Sequence, residues 1–192
     1  EDADISGVVS LSGDHHMHGA GTVRRSTTEA DAPSLAVDFA VAGISSAPVL
    51  EDLVAAADAD HPDFAALVYR QSDHGIEPVW NMTMLYGAFA AYTYNKTGLE
   101  SVASWLGPNT ANPGLRYVDT TANGYGLASF DAHELRVQLI TLQDCRPDFV
   151  QPPAIRYVAR FLLPRWRAGD PPQLQGPEFW GSAPFPFGTT EV

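Results

Sequence analysis

Positive charge is scarce in this sequence. Ten arginines and a single lysine, Lys96, stand against 23 acidic side chains, and the formal net charge is −12. The arginines are scattered and form no stripe, so the surface repels phosphate backbones and a nucleic acid-binding role is disfavoured. The one cysteine, Cys145, cannot close an internal disulfide and leaves the redox compartment open. No apolar run reaches the roughly 18 residues that a membrane-spanning helix needs. Nor is there a Gly-x-x-x-x-Gly-Lys or Gly-x-Gly-x-x-Gly phosphate loop, or a Gly-x-Ser-x-Gly nucleophile elbow. An initiating Met and a basic-then-apolar leader are also missing. The chain opens Glu1-Asp2-Ala3-Asp4 and turns apolar at once, which reads as a cleaved product whose targeting segment has been removed.

What is present is enough for one packed core: 45% of the 192 residues are hydrophobic and only 18% charged, which rules out a disordered acidic tail. Length points to a single domain. Residues 5–11 (ISGVVSL) read as a short buried strand closed by Ser12-Gly13, and residues 22–33 as an exposed polar loop. Residues 35–44 form a strand, and Pro48 opens a helix over 49–57. Residues 80–94 have the spacing of one buried helix, its aromatics Trp80, Tyr86, Phe89, Tyr92 and Tyr94 forming a core stripe, and 99–106 of a second, shorter helix. Then the period changes to two. Residues 115–121, 124–131 and 134–142 read as strands, the last two joined into a hairpin at Asp131-Ala132-His133. Residues 155–163 are a further strand candidate. From Pro164 the chain is rich in proline and aromatics, and we read residues 146–192 as an arm, irregular towards its end, packed on a unit formed by 1–145. Strands, helices and then an antiparallel run predict a mixed α/β fold.

The densest chemistry follows the first strand. In Val8-Val9-Ser10-Leu11-Ser12-Gly13-Asp14-His15-His16, an apolar run empties into a glycine turn carrying metal-type ligands. Asp14 and His16 are two apart, so in extended backbone both face one side. An oxygen and a nitrogen donor converging at a strand end suit Zn, Mn or Fe better than Mg alone. His15 faces the other way, free to touch substrate. His18 continues the parity of the ligands, although the glycines after it can turn it aside.

Other segments are plainer. Asp58-Ala-Asp60-His61-Pro-Asp63 lacks the glycine and spacing of an EF-hand loop and reads as a solvated acidic turn. Asp73-His74 is an ordinary loop pair, and nothing beside Cys145 activates its thiol. Asn81-Met-Thr83 and Asn95-Lys-Thr97 match glycosylation acceptors, but Asn81 falls on the buried helix.

The segment VVSLSGDHHMHGAG resembles the strand-Gly-Asp-x-His motif of the alkaline phosphatase D (PhoD-like) metallophosphoesterases, with Gly13, Asp14, His15 and His16 at the motif positions. Two further segments resemble that family in the same order. Residues 39–48 are similar to its strand ending in a Ser-Ser-Pro-like turn. Residues 112–121 with Gly124-Tyr125 are similar to its Asn-Pro-His strand pair, except that Gly114 stands where the family has His. The resemblance implies a calcineurin-like sandwich of two mixed sheets flanked by helices, of which this chain supplies the C-terminal part. It implies a dinuclear centre of two metal ions, drawn from Fe, Zn, Mn or Ca, that hydrolyses phosphate mono- or diesters. Asp14 and His16 are then metal ligands and His15 a catalytic residue. Two ions need more donors than these. The family's other ligands lie on strands upstream of this motif, so the implied partner is an N-terminal fragment of the same protein as a second chain, and the implied location is periplasmic or extracellular. Two other readings stay open: a non-catalytic metal-binding β-rich module, and an interaction domain in which the histidines are incidental. A cupin-like barrel wants a Glu shortly after the His-x-His of His16 and His18, and the next acid is Glu29.

Overall fold

The computed structural model describes residues 5–29, 31–57, 61–73, 75–107, 109–143 and 151–188. Alternation builds its backbone of strands. In β8 (Glu134–Leu142) every second residue, Leu135, Val137 and Leu139, enters the main core, while the polar residues between them face out. β8 is central in an antiparallel sheet of order β10-β9-β8-β7, with β7 (Gly124–Phe130), β9 (Ile155–Pro164) and β10 (Gln175–Gly181). The second sheet is mixed, of order β1-β3-β2-β6, from β1 (Val9–Ser12), β2 (His18–Arg24), β3 (Ser34–Ala40) and β6 (Leu115–Asp119). Here β1 and β3 run parallel and the other pairs antiparallel. Ala20, Val37, Phe39 and Tyr117 from this sheet pack against Leu139, Tyr157, Ala159 and Phe161 from the other. The chain is thus a mixed α/β sandwich with helices, as expected, except that one of the two sheets is wholly antiparallel.

The helices lie between β3 and β6 in the chain. Pro48 precedes α1 (Val49–Ala56), and Pro62 starts α2 (Pro62–Val68), where its missing N–H breaks no helical bond. A small hairpin, β4 (Arg70–Ser72) and β5 (Gly75–Glu77), leads into α3 (Val79–Tyr86), which packs beside β6. The long helix expected over 80–94 breaks at Gly87, whose φ of 95° is open to glycine and ends α3 before α4 (Ala88–Thr97) begins. The break re-aims the aromatic stripe: Tyr94 stays buried, while Phe89 and Tyr92 face solvent. α5 (Glu100–Leu106) follows.

Three further expectations need correction. β1 is a sheet edge rather than a buried strand, and Ile5, Val8 and Leu11 are exposed, because β1 has only β3 as a neighbour. The loop expected over 22–33 begins as strand, since β3 and β6 recruit residues 18–24 from both sides in spite of two glycines. The arm is not irregular: β10 adds to β9 through a register shift between Gln175 and Glu178, and Pro177 is tolerated because this is an edge. The arm's Phe185 then packs against α4, its ring 5.0 Å from that of Tyr94. Cys145, Asp58, Asp60 and His74 lie outside the described residues.

Candidate functional site

Because β3 lies between β1 and β2, residues 13–17 must cross the carboxyl end of β3 to join them. The strand stops at Ser12, and Asp14, His15 and His16 occupy an exposed turn. Strand alternation therefore does not set their directions, and the parity that paired Asp14 with His16 gives way to turn geometry. His16 adopts a φ of 49°, a left-handed conformation that non-glycine residues rarely take and that a surrounding structure must hold. Two hydrogen bonds hold it. Its Nδ1–H donates to the Ala47 carbonyl at 3.1 Å, and its own carbonyl accepts from the Val49 N–H at the start of α1, at 3.0 Å. A carbonyl can only accept, so Nδ1 carries the proton and Nε2 presents a lone pair. Outer-shell carbonyls impose this tautomer on metal-binding imidazoles.

A residue that sequence reasoning missed supports this anchor. Asn123, on the β6–β7 connection, donates from Nδ2 to the carbonyls of Gly43 and Ser46 at 3.0 and 2.7 Å. It fixes the 43–47 segment from which Ala47 reaches His16. An asparagine before Gly124 reads as turn chemistry in a sequence, and nothing local shows that its partners lie about 80 residues away.

His15 lines a cleft of about 350 Å³ on the outer face of the mixed sheet, together with Gly19 and Gly21 of β2, Ala40 of β3, Met84 of α3 and Pro113. His18 does not join the turn. It is fully buried, with Nε2–H donating to the Ile140 carbonyl at 3.2 Å and Nδ1 accepting from the Ala42 N–H at 3.0 Å, and so ties the mixed sheet to β8. Burial pulls its pKa below the ordinary histidine value, against the pull of the Ile140 bond and the Asp119 carboxylate. Both ring nitrogens are engaged, so His18 is a core histidine and not a ligand.

Beneath the sheet lies a buried polar network. Tyr157 donates its hydroxyl to Oδ2 of the fully buried Asp119, the Tyr117 and Tyr157 hydroxyls lie 2.9 Å apart, and Thr121 donates from N and Oγ1 to Asp119 Oδ1. Burial first, then the Asp119 charge, pushes both tyrosines well above their ordinary pKa. Asn81 is buried too, with Nδ2 donating to the Phe185 carbonyl and Oδ1 accepting from Thr120, so its acceptor motif is closed to a glycan.

Gly114, the departure from the family pattern, is required by the backbone. β2 and β6 approach closely where their register shifts, between Ala20 and Gly21. The Thr22 N–H donates to the Gly114 carbonyl at 2.9 Å, and a Cβ at 114 would overlap the Thr22 carbonyl. A histidine there requires the strands to part.

Asp14 and His16 offer an oxygen and a nitrogen donor on one exposed turn, and a divalent ion takes four or more. Among the described residues no group of three or more His, Cys, Asp or Glu side chains is placed to share an ion. Two donors on one turn amount at most to part of a ligand set. No family model matches the chain, and none of the curated proteins does. Among solved structures it is similar to one described as "Structure of PhoD", with a TM-score of 0.45 and 11% identity over 92% of this chain. The chain spans 24% of the length of that one.

Proposed function

We propose that the chain carries part of a metal-dependent phosphoesterase site, centred on the turn of Asp14, His15 and His16. The observation behind this reading is His16: an exposed imidazole on a left-handed backbone, its Nδ1 held by the Ala47 carbonyl so that Nε2 is left to face a ligand. The Gly-Asp-x-His resemblance and the motif's place at a strand's carboxyl end support the same assignment. Asp14 and His16 contribute carboxylate and imidazole donors, and a metal held there supplies Lewis acidity to the phosphoryl oxygens of an ester. His15, which lines the cleft, would donate a hydrogen bond or a proton to the departing oxygen. By resemblance alone, the protein works outside the cytoplasm; among the described residues no helix is long and apolar enough to cross a membrane.

The remaining ligands come, in this proposal, from an upstream part of the same protein whose strands extend the sandwich beyond β1. Leu11 shares a face with Val9, which packs against the core, and pairs with the buried Phe39, yet is 57% exposed. Phe130 pairs with the core residue Leu135 and is 69% exposed. Inward-facing side chains stand uncovered in both sheets, as they do where a core continues.

Asp14→Asn and His16→Ala are expected to lose bound metal and at least a hundredfold in phosphate-ester hydrolysis, with the circular dichroism spectrum retained. His15→Ala is expected to lower kcat with metal content unchanged. Metal analysis beside a chromogenic ester measures both, and normal metal and rate in Asp14→Asn and His16→Ala reject the proposal.

A further inference from the structure

The cleft beside His15 is hollow because its floor lacks side chains. β2 alternates: Ala20 enters the core, so Gly19 and Gly21 face outward, and beside them Ala40 of β3 offers only a methyl. The two glycines have different reasons for being bare. A Cβ at Gly21 would stand 2.7 Å from the Gly114 carbonyl, so the close approach of β6 requires glycine there. At Gly19 the nearest atoms to a Cβ are the Ala40 Cβ at 3.6 Å and the Tyr117 carbonyl at 3.7 Å, ordinary contact distances, and the backbone is not in the left-handed region. Nothing in the fold requires glycine at 19, and a bare strand position is less stable than alanine. Its effect is to keep open a flat apolar floor, walled by the thioether of Met84 and the ring of Pro113.

We propose that this cleft is a binding subsite for the organic part of an ester, and that the class it takes is a planar aromatic alcohol. The proposal rests on the phosphoesterase reading, because His15 joins the two: it belongs to the Asp14–His16 turn and also lines the cleft. A ring laid on Gly19 and Ala40 meets strand backbone and methyl on one face and the polarizable Met84 sulfur at its edge. Its ester oxygen then points to His15. The volume lies at the lower end of the roughly 300–1,000 Å³ usual for small-molecule sites, enough for a fused ring pair. Arg24 and Asp38 line the cleft as well, with opposite charges, so the cleft does not favour an extended polyanion.

The test uses the purified protein with any chain that stays bound to it. Binding of 2-naphthol, followed by its fluorescence, needs no turnover. Gly19→Ala shortens the floor by one methyl and is expected to weaken binding two- to fivefold. Gly19→Leu fills the hollow and is expected to weaken it at least twentyfold and to lower the kcat/KM ratio for 2-naphthyl phosphate over glycerol phosphate at least tenfold. Thermal melts confirm that each variant folds; if Gly19→Leu does not, Ala40→Leu replaces it, with the same losses expected. Naphthol binding lost in these variants without hydrolysis of any ester in the wild type upholds the subsite and rejects the phosphoesterase. Equal losses for both esters, or naphthol binding that ignores these substitutions, overturns the subsite. Release of a co-purifying chain by Gly19→Leu places a protein segment on this face and overturns it as well.

Discussion

Among the three histidines around the turn, hydrogen bonding separates roles that composition alone runs together. His16 has one nitrogen held and one presented, whereas His18 has both consumed inside the core. The cluster was legible in the sequence because strand, glycine and ligand-type side chains are adjacent there. Its division was not, because the deciding partners, Ala47, Ala42 and Ile140, are remote. Asn123 is the clearest case of a remote support. Its truncation frees the 43–47 segment and with it the carbonyl that orients His16. Asn123→Ala is expected to weaken metal binding about tenfold, as outer-shell losses do, while ester hydrolysis at saturating metal falls less; a chelator titration measures this. Tyr157 tests the core. Removing its hydroxyl leaves one oxygen of buried Asp119 without that donor, and Tyr157→Phe is expected to cost about 2–3 kcal/mol, within the range for hydrogen bonds to charged groups. Both Tyr117 and Tyr157 have folded pKa values above the unfolded value of about 10. The native state therefore keeps protons that the unfolded chain loses, so their contribution is whole below pH ~10 and is lost as pH rises beyond it. Urea unfolding between pH 9 and 11 is expected to show that decline in the wild type, with a shallower slope in Tyr157→Phe.

At the scale of the element, strong local patterns came through and weak ones did not. The β7–β8 hairpin alternates on both sides of an Asp131 turn whose carboxylate accepts the N–H groups of His133 and Glu134, and it lies where the sequence placed it. The Pro48 start of α1 likewise needed nothing beyond its own residues. β2, with glycine at 19 and 21, has no such pattern, and its strand exists because β3 and β6 pair with it from both sides. Gly19 and Gly114 make a paired test of close approach. Gly114→Ala is expected to destabilise by about 1–3 kcal/mol, as overpacking does, because the overlapped atom is the Thr22 backbone oxygen and cannot swing away. Gly19→Ala should be neutral, or stabilising by about 0.5–1 kcal/mol, since only ordinary contacts await its methyl. Thermal melts of both variants check this, and equal destabilisation would contradict the strand geometry described above.

For the whole molecule, the question is where the sandwich ends. Tyr117 of β6 packs against Phe179 of β10, with ring centres 6.0 Å apart and the planes tilted, while a side chain at Gly126 of β7 would touch Val41, just beyond β3. The opposite edges, β1 and β7, therefore lie on one common side. Along β1, β3 binds the carbonyls of Val8 and Ser12, so alternation directs the N–H and C=O groups of Val9 and Leu11 outward. Backbone groups of this kind beside uncovered leucine and phenylalanine form a template for strand addition. A net charge of −12 opposes self-association but not the addition of a complementary strand. Covering both sheets at once would bury an area of the obligate class, roughly 2,000–5,000 Å². We predict that active protein contains this 20.7 kDa chain together with an upstream portion of the same product. If that portion is a separate chain, the two should stay together through purification and separate only under denaturing electrophoresis. In that assembly the amides of Val9 and Leu11 should exchange at least a hundredfold more slowly than in the 192-residue chain alone. Leu11→Lys, exposed in the isolated chain, should be harmless there and should disrupt the assembly, because it places a charge in a core that has closed. An isolated chain that is monomeric, cooperatively folded, metal-loaded and active would show that the sandwich is already whole.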